Sequence, residues 1–481
     1  MGRDWTPKEM YLVDKDALLN RGQALRDIHF SFYNNQTKET EPLYTQSQIE
    51  IAKKFSDFAF LYDPFHEMFN KYSEFIQERN VLFAYIESTI NLIATDTAIT
   101  VNSLTNQVKN FFAKNPDLAP ANTNTTISKV LSPILFNLPS DTIKKWFNGD
   151  LDTNFYYNTK NNNIFGEMID KTMCEIIKEK CKEFKKGSTH STQFHSDEVF
   201  TTALFLTLNP NFTYERNLDI PDEPNIIVYD KGMGKYDHHQ IDNEVRENGI
   251  PYASFGKVWR DFSKYLTIDD RLMTKTERDI VERKLVQRID ATDNGKGHDD
   301  YSNFITLLNP INRGTKTIVE NENDMFAQAV FFAKTVLNRY LENSVEIGKH
   351  HEILANVLKT ADNGILCVPE YIAIKEPTIH KILLENEIDI VVYPSQRGGF
   401  NIQQVPIEEG SFVGRMPFPQ EWLGKRGDDL PEHITFCHSG NWLLAIDSET
   451  PKEAKKIAHQ IANICREELR RDIGKEAEEV L

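Results

Sequence analysis

The stretch Gly187–Val199, "GSTHSTQFHSDEV", places His190, His195 and Asp197 at the head of an apolar run, "DEVFTTALFL", that reads as a helix. Alone, Asp197 would serve as a helix cap, and a lone histidine is more often hydrogen-bonded structure than a ligand. Downstream, "PNIIVYD" is a short β-branched run ending in Asp230. It suits a buried parallel strand that delivers an acid at its carboxyl end, where α/β sheets bind ligands. "KYDHHQ" adds Asp237, His238 and His239, and "ERDIVERKLVQRID", helical in pattern, carries Asp290 at its end. Four separate segments thus each present His or Asp near an element boundary. Imidazole and carboxylate donors without cysteine suit Mn²⁺, Zn²⁺ or Fe²⁺ in a reactive site better than a structural zinc. Six or more donors exceed the needs of one ion and match two ions bridged by a shared Asp.

The bulk composition agrees with an enzyme of several domains. The chain has 481 residues, 40% of them hydrophobic and 11% aromatic, enough for real cores. Its formal net charge of −17 repels nucleic acid, so a polyanionic substrate needs bound cations or a local basic pocket. The five cysteines form no C-x-x-C pair and read as packed thiols of a reducing compartment. No run of 18 apolar residues exists to span a membrane. The opening "MGRDWTPKEMY" lacks the apolar core of a signal peptide, although Gly2 and Thr6 fit the loose myristoylation pattern. The expected location is cytoplasmic.

Residues 1–186 read as a mostly helical domain. From Asp63, Phe65, Met68, Phe69, Tyr72, Phe75, Ile76, Phe83, Ile86, Ile90 and Ile93 recur at three- and four-residue steps, with Pro64 in the first turn. "PANTNTTIS" and "NTKNNNIFG" are polar breaks. An aromatic stripe of this kind is core or an oligomer interface, so homo-oligomers through these helices are one expectation. The metal-binding catalytic domain is expected over 187–335, a helical connector over 336–361, and a smaller α/β substrate-binding domain over 362–481. In the last, "GILCV", "IDIVVYP", "GFNIQQVP" and "NWLLAID" are strand-like, and the final helix has Thr450 as N-cap and Pro451 at its first position.

The motifs "THSTQFHSDEV", "IIVYD", "YDHHQ" and "RIDATDNG", followed by "LLNP", "GFNIQQVP", "GRMPFPQEWLGKRG" and "FCHSGNWLLA", resemble in order those of the Myg (melanocyte-proliferating-gene) family, a branch of the DHH-type metal-dependent phosphoesterases. The likeness runs from about Gly187 to the C-terminus. It implies a parallel-sheet domain holding two divalent metals, Mn²⁺ first with Mg²⁺ or Zn²⁺ as alternatives, and a smaller substrate-binding domain. It also implies phosphodiester hydrolysis, and 3′-to-5′ exonuclease action on RNA or short oligonucleotides. By motif, His190, His195, Asp197, Asp230, His238 and Asp290 are the implied metal ligands, with Asp230 bridging. His239 would face the phosphate or leaving oxygen, Asp237 would orient an imidazole, and Asp293 could equally be turn chemistry in "DNG". Arg415 and His438, then Lys425 and Arg426, are the expected substrate contacts of the second domain. The chain departs from the family's habit at three places. Thr192 stands where a glycine is common, "INRG" replaces the tryptophan after "LNP", and "EFKKGST" is polar where the first strand is normally apolar.

Two other readings stand beside this one. The acidic surface suits a small (di)nucleotide substrate, since long nucleic acid usually wants a basic track. The helical N-terminus could also make the chain chiefly a partner-binding assembly protein with a subordinate catalytic part.

Overall fold

The computed structural model describes residues 31–34, 39–42, 71–94, 97–120, 131–138, 140–141, 164–223, 225–309 and 316–479. These divide into two compact units, one within Met1–Lys275 and Glu282–Leu337, the other formed by Thr276–Val281 and Asn338–Leu481. The fold is mixed α/β.

The first unit begins with an antiparallel hairpin, β1 (Ser31–Asn34) and β2 (Glu39–Pro42), which the sequence pattern did not announce. The helices that follow include α1 (Ile76–Ala94), α2 (Val101–Lys114) and α3 (Ile164–Cys181). The start of α2 is set by Thr100, whose Oγ1 accepts from Ser103 N while Ser103 Oγ accepts from Thr100 N. Tyr72, Phe75, Phe83, Ile86, Phe111, Phe112, Met173 and Ile177 fill one core, as the periodicity of the aromatic stripe requires. Among the described residues of the stripe, Ile76 departs from this: it lies 54% exposed at the first position of α1. Leu272 belongs to the same core, with Phe184, Leu208 and Tyr265 packed against it. The N-terminal helices therefore share their hydrophobic interior with the segments that follow Lys186.

Next comes a three-stranded parallel sheet: β3 (Lys186–Thr189) in the middle, β4 (Thr213–Arg216) on one side and β5 (Ile226–Val228) on the other. Helix α4 (Ser196–Leu208) connects β3 to β4. The central strand is polar in sequence yet buried from Gly187 to Thr189. Its environment explains that. Ser188 Oγ accepts from the buried Lys231 ammonium at 2.8 Å, and Gly187 lies under the rings of Phe212 and Tyr229. Helix α5 (Ser254–Phe262) packs on α4 through Phe255 and Phe200. After a small hairpin, β6 (Thr267–Ile268) and β7 (Arg271–Leu272), the chain runs through α6 (Lys275–Val281), a π turn at Glu282–Val286, α7 (Gln287–Asp293) and α8 (Asp300–Leu308). The helix expected over "ERDIVERKLVQRID" is thus present but widened by a π turn in its middle.

Helix α9 (Lys316–Val357) passes from the first unit into the second. The second unit carries a five-stranded mixed sheet, built from β8 (Ile365–Cys367), β9 (Ile390–Pro394), β10 (Phe400–Gln404), β11 (Ile434–Cys437) and β12 (Leu443–Ile446) in the order β11-β12-β10-β9-β8. Helix α10 (Pro377–Glu385) follows β8, and α11 (Pro451–Glu479) ends the described chain. Ile457, Ile461 and Cys465 of α11 share a core with Ile402, Trp422 and Leu444, while Ile379 and Leu383 of α10 join Leu366, Val391 and Ile347 in another. The strands and the Thr450 cap read from the sequence are all found, Thr450 Oγ1 accepting from Glu453 N.

Gly2 and Thr6, residues 63–70 of the expected first helix, nearly all of the two polar breaks, and "INRG" at 311–314 lie outside the described residues. Among the described residues no helix is long and apolar enough to cross a membrane.

The packing over β3 is directly testable. A Cβ on Gly187 would stand 2.6 Å from the Phe212 ring and 2.8 Å from that of Tyr229. Gly187→Ala is expected to destabilise the protein by about 1–3 kcal/mol through overpacking, read as a lower urea midpoint at unchanged slope.

Candidate metal centre

Four segments of the first unit converge on one cluster, the end of α7 bringing Asp293 to it. The turn after β3 supplies His190, the start of α4 supplies His195, Asp197 and Glu198, and the loop after β5 supplies Asp230 and His238. That loop is closed on itself. Asp230 N donates to Tyr236 O at 2.9 Å, and Asp237 Oδ2 accepts from Met233 N at 2.6 Å, so Asp230 and His238 are returned to the same place. Asp230 reaches it with φ 53, a left-handed conformation rare outside glycine and common at functional sites.

The donors interlock. His190 Nε2 lies 3.1 Å from Asp230 Oδ2 and 3.2 Å from Glu198 Oε1, and its Nδ1 faces the carbonyl of Ser191 at 3.0 Å. That carbonyl favours the proton on Nδ1 and leaves Nε2 as the donor atom. His238 Nε2 lies 3.2 Å from Asp230 Oδ1, 3.1 Å from Asp293 Oδ2 and 3.5 Å from Asp197 Oδ2. Asp230 thus touches both imidazoles. His195 Nδ1 is 3.8 Å from Asp293 Oδ1. Asp197 Oδ1 and Glu198 Oε2 are buried with no hydrogen-bond partner, and Asp230 Oδ1 meets only imidazole nitrogens.

The electrostatics follow from burial. Desolvation first, then the charges of Asp230, Asp293 and Glu198, push the Asp197 carboxyl well above its ordinary range. Burial also raises Asp230, but the hydrogen bonds and charges of His190 and His238 outweigh it and hold it at about 2. Conversely, burial lowers both histidines, and their carboxylate partners overcome it, lifting His190 to about 11 and His238 to about 10. Four buried carboxylates therefore share two imidazoles, a surplus of negative charge that cations would cancel. Asp293 ends α7, the negative end of that helix's dipole, where a carboxylate is unfavourable unless a cation faces it.

Asp290 lies elsewhere. Its Oδ2 accepts from Arg246 Nη2 at 2.6 Å and its Oδ1 from Gly256 N at 3.0 Å, and it joins none of the groups whose donor atoms come together. Burial pushes it up to about 7 against the pull of the Arg246 guanidinium. The carboxylate that the "RIDATDNG" segment brings to the cluster is Asp293. Asp290 instead caps α5, whose N-cap residue Ala253 has no side-chain acceptor. Asp197 Oδ2 accepts from Ser254 N at 3.2 Å, so two carboxylates from other segments satisfy the first turn of α5. Asp197 does not cap its own helix: His195 precedes it, and Glu198 Oε1 accepts from His195 N at 2.8 Å. Gly256 permits the arrangement, since a Cβ there would lie 1.8 Å from Asp290 Oδ2.

Beside the cluster, His239 Nδ1 lies 2.6 Å from Asp237 Oδ1 and 3.8 Å from Asp230 Oδ1, and its side chain is 55% exposed. In the second unit, Arg415 Nε donates to Asp389 at 3.0 Å; the His438 ring lies tilted beside Trp442 with centroids 4.6 Å apart; Lys425 and Arg426 are exposed. Glu198 and Arg246 were missed from sequence. Glu198 was visible only as the residue after Asp197, and Arg246 sits in a loop with no pattern around it.

A family model, MYG1_exonuc, described as an uncharacterised protein family (UPF0160), matches residues 187–460. A MYG1 protein of Dictyostelium discoideum is 25% identical over 305 residues, covering 53% of this chain and 90% of its own length. A MYG1 exonuclease of Rattus norvegicus is 28% identical over 293 residues, 51% of this chain and 75% of that one. The MYG1 exonuclease of Homo sapiens is 26% identical over 294 residues, 51% and 76% respectively. No solved structure matches.

The turn between His190 and α4 gives a second test. Thr192 has φ 82, the left-handed region that a β-branched residue adopts only under strain and that glycine adopts freely. Its carbonyl accepts from Arg216 Nη2 at 2.8 Å, and this contact holds the turn. Thr192→Gly is expected to stabilise the protein by about 1 kcal/mol, the relieved strain exceeding the added chain entropy. A denaturation midpoint that falls instead would overturn this reading of the turn.

Proposed function

This chain belongs to the MYG1_exonuc family, and we propose on that footing that it is a two-metal phosphodiesterase of the DHH type, acting as a 3′-to-5′ exonuclease on RNA or short oligonucleotides. The observation that carries the proposal is the pair of buried, unpartnered carboxylate oxygens on Asp197 and Glu198, in one cluster with Asp230, His190 and His238. Buried polar atoms are ordinarily satisfied, and these oxygens fit divalent cations such as Mn²⁺. His190, Glu198 and Asp230 would hold one ion. Asp197, Asp230, His238 and Asp293 would hold the other, with His195 at its open side. When bound, such ions supply a clamp on the attacked phosphoryl group and lower the pKa of a water toward neutrality.

The chain's own groups do the rest. The loop Asp230–Asp237 keeps the Asp230 carboxylate and His238 in register. Asp237 accepts from Nδ1 of His239 and so turns Nε2 of that exposed ring outward, where it can donate a proton. Hydrolysis adds water across the P–O3′ bond: the hydroxyl goes to phosphorus, the departing 3′-oxygen takes a proton from the His239 imidazolium, and the proton the water gives up restores that imidazolium. The products are a 5′-mononucleotide and a chain one residue shorter. Arg415, His438, Lys425 and Arg426 are the proposed substrate contacts of the second unit, Arg415 with its guanidinium fixed by Asp389.

The test is Mn²⁺ binding by calorimetry together with turnover on RNA, DNA and dinucleotides, using 3′-blocked strands to set polarity. Asp230→Asn and Asp293→Asn should each lose at least one ion and roughly 100-fold or more of turnover. Asp290→Asn should keep both ions but lose about 2–4 kcal/mol of stability, as expected for breaking a buried ion pair. Loss of metal in Asp290→Asn with retention in Asp293→Asn would reverse the two roles. Turnover confined to dinucleotides would favour the small-substrate reading.

His239→Ala should lower kcat by about 100-fold with both ions retained. Loss of an ion in that variant would make His239 a ligand instead.

A further inference from the structure

On one face of the second unit, cationic and aromatic side chains alternate. The Lys375 ammonium lies 4.2 Å from the Phe412 ring centroid and 5.7 Å from that of Trp442. Trp442 neighbours His438 at 4.6 Å, His438 meets Phe436 edge-on at 6.1 Å, and the Arg426 guanidinium lies 5.0 Å over Phe436. These six residues come from the segment before α10, the loop after β10, the loop before β11, β11 itself and the β11–β12 turn. Phe412 is 75% exposed and its neighbour Val413 59%. Large apolar side chains left this open in an acidic protein call for a partner with both π faces and negative charge.

The turn that carries the middle of the ladder is fixed in advance. His438 N donates to Leu443 O, and Asn441 N to His438 O. Asn441 is pinned by Phe418 N at 2.8 Å on Oδ1, and Gln404 Nε2 donates to both Oδ1 and its carbonyl. Gly440 N donates to His438 Nδ1 at 2.9 Å, which leaves Nε2 as the protonated nitrogen, a donor. A Cβ at Gly440 would press on both His438 and Trp442 at 3.1 Å, so glycine is what lets the two rings stand together. Rigid aromatic surfaces of this kind bind with little loss of side-chain entropy.

We infer that the Phe412–Lys375–Trp442–His438–Phe436–Arg426 ladder is a stacking platform for the unpaired bases of a single-stranded nucleic acid, with Lys375, Arg426 and the His438 Nε2–H meeting its phosphates or base edges. The inference rests on the exonuclease reading and deepens it by naming the form of the substrate: a strand whose bases are unpaired. Stacking contributes about 1–3 kcal/mol per base whatever the base identity. An acidic chain can thus hold nucleic acid without an extended basic track.

The experiment measures binding of a fluorescein-labelled single-stranded RNA decamer to the full chain by anisotropy, in EDTA so that the strand is not consumed. An abasic decamer of equal charge is the comparison, and hydrolysis of bis(p-nitrophenyl) phosphate with Mn²⁺ is measured in parallel. Trp442→Ala and Phe412→Ala should each weaken decamer binding by about 5- to 100-fold, leave the abasic strand's affinity unchanged, and leave hydrolysis of the small ester intact. Trp442→Phe should retain binding, which separates stacking from a folding defect. The platform is refuted if wild type binds both strands alike, or if both alanine variants bind the decamer like wild type. Failure of the wild type to hydrolyse either the ester or RNA would instead sink the exonuclease reading, and base-dependent binding lost in Trp442→Ala would still uphold the platform.

Discussion

Four carboxylates buried side by side set the terms for everything around them. Asp197, Glu198, Asp230 and Asp293 share one interior with two imidazoles, and each uncompensated charge there costs several kcal/mol. The fold answers with oriented partners. The first turn of α5 points backbone N–H groups at Asp197 and Asp290, and Arg246 neutralises Asp290 from the other side. Both depend on the missing side chain of Gly256, since any Cβ there would displace the Asp290 carboxylate. A glycine in one helix therefore decides whether a carboxylate from another can be buried, and α5 in turn holds Asp197 where the cluster needs it.

Backbone strain sits beside the same cluster. Asp230 and Thr192 both occupy the left-handed region, one delivering the shared carboxylate and the other turning the chain from His190 toward α4. Such conformations persist only where surrounding bonds over-determine them. Here these are the closure of Asp230 N on Tyr236 O and the hold of Arg216 on Thr192 O. Arg216 is itself buried, paired with Glu322 and lying over the Phe326 and Phe194 rings, so the turn is tied into the aromatic core.

Net charge and local charge separate in this molecule. A balance of −17 argues against an extended cationic track. It says little about a surface where Lys375 and Arg426 are interleaved with aromatic rings, because stacking and cation–π contact act at short range and do not need a long-range field. In the cluster of His190, Asp197, Glu198, Asp230, His238 and Asp293 the same logic runs with the sign reversed: surplus negative charge is concentrated where a cation could be held.

Much of this was legible in the sequence. His190, His195, Asp197, Asp230 and His238 stood out because each lies near an element boundary, and the β-branched run "IIVYD" placed the strand that delivers Asp230. The strands of the second unit and the Thr450 cap followed from periodicity and helix-start chemistry, both of them local properties. The choice between Asp290 and Asp293 was not local. They lie three residues apart on one helix, on nearly the same face, and the π turn at Glu282–Val286 resets the rotation with which that helix meets its neighbours. Which acid meets Arg246 and which meets His238 depends on that rotation and on a glycine in another helix. Glu198 likewise gained a role only when the fold brought His190 to it. A chain specifies its own turns and faces through local sterics and hydrogen bonding, but partners across the core are fixed only by packing, and burial then decides which charges must be answered.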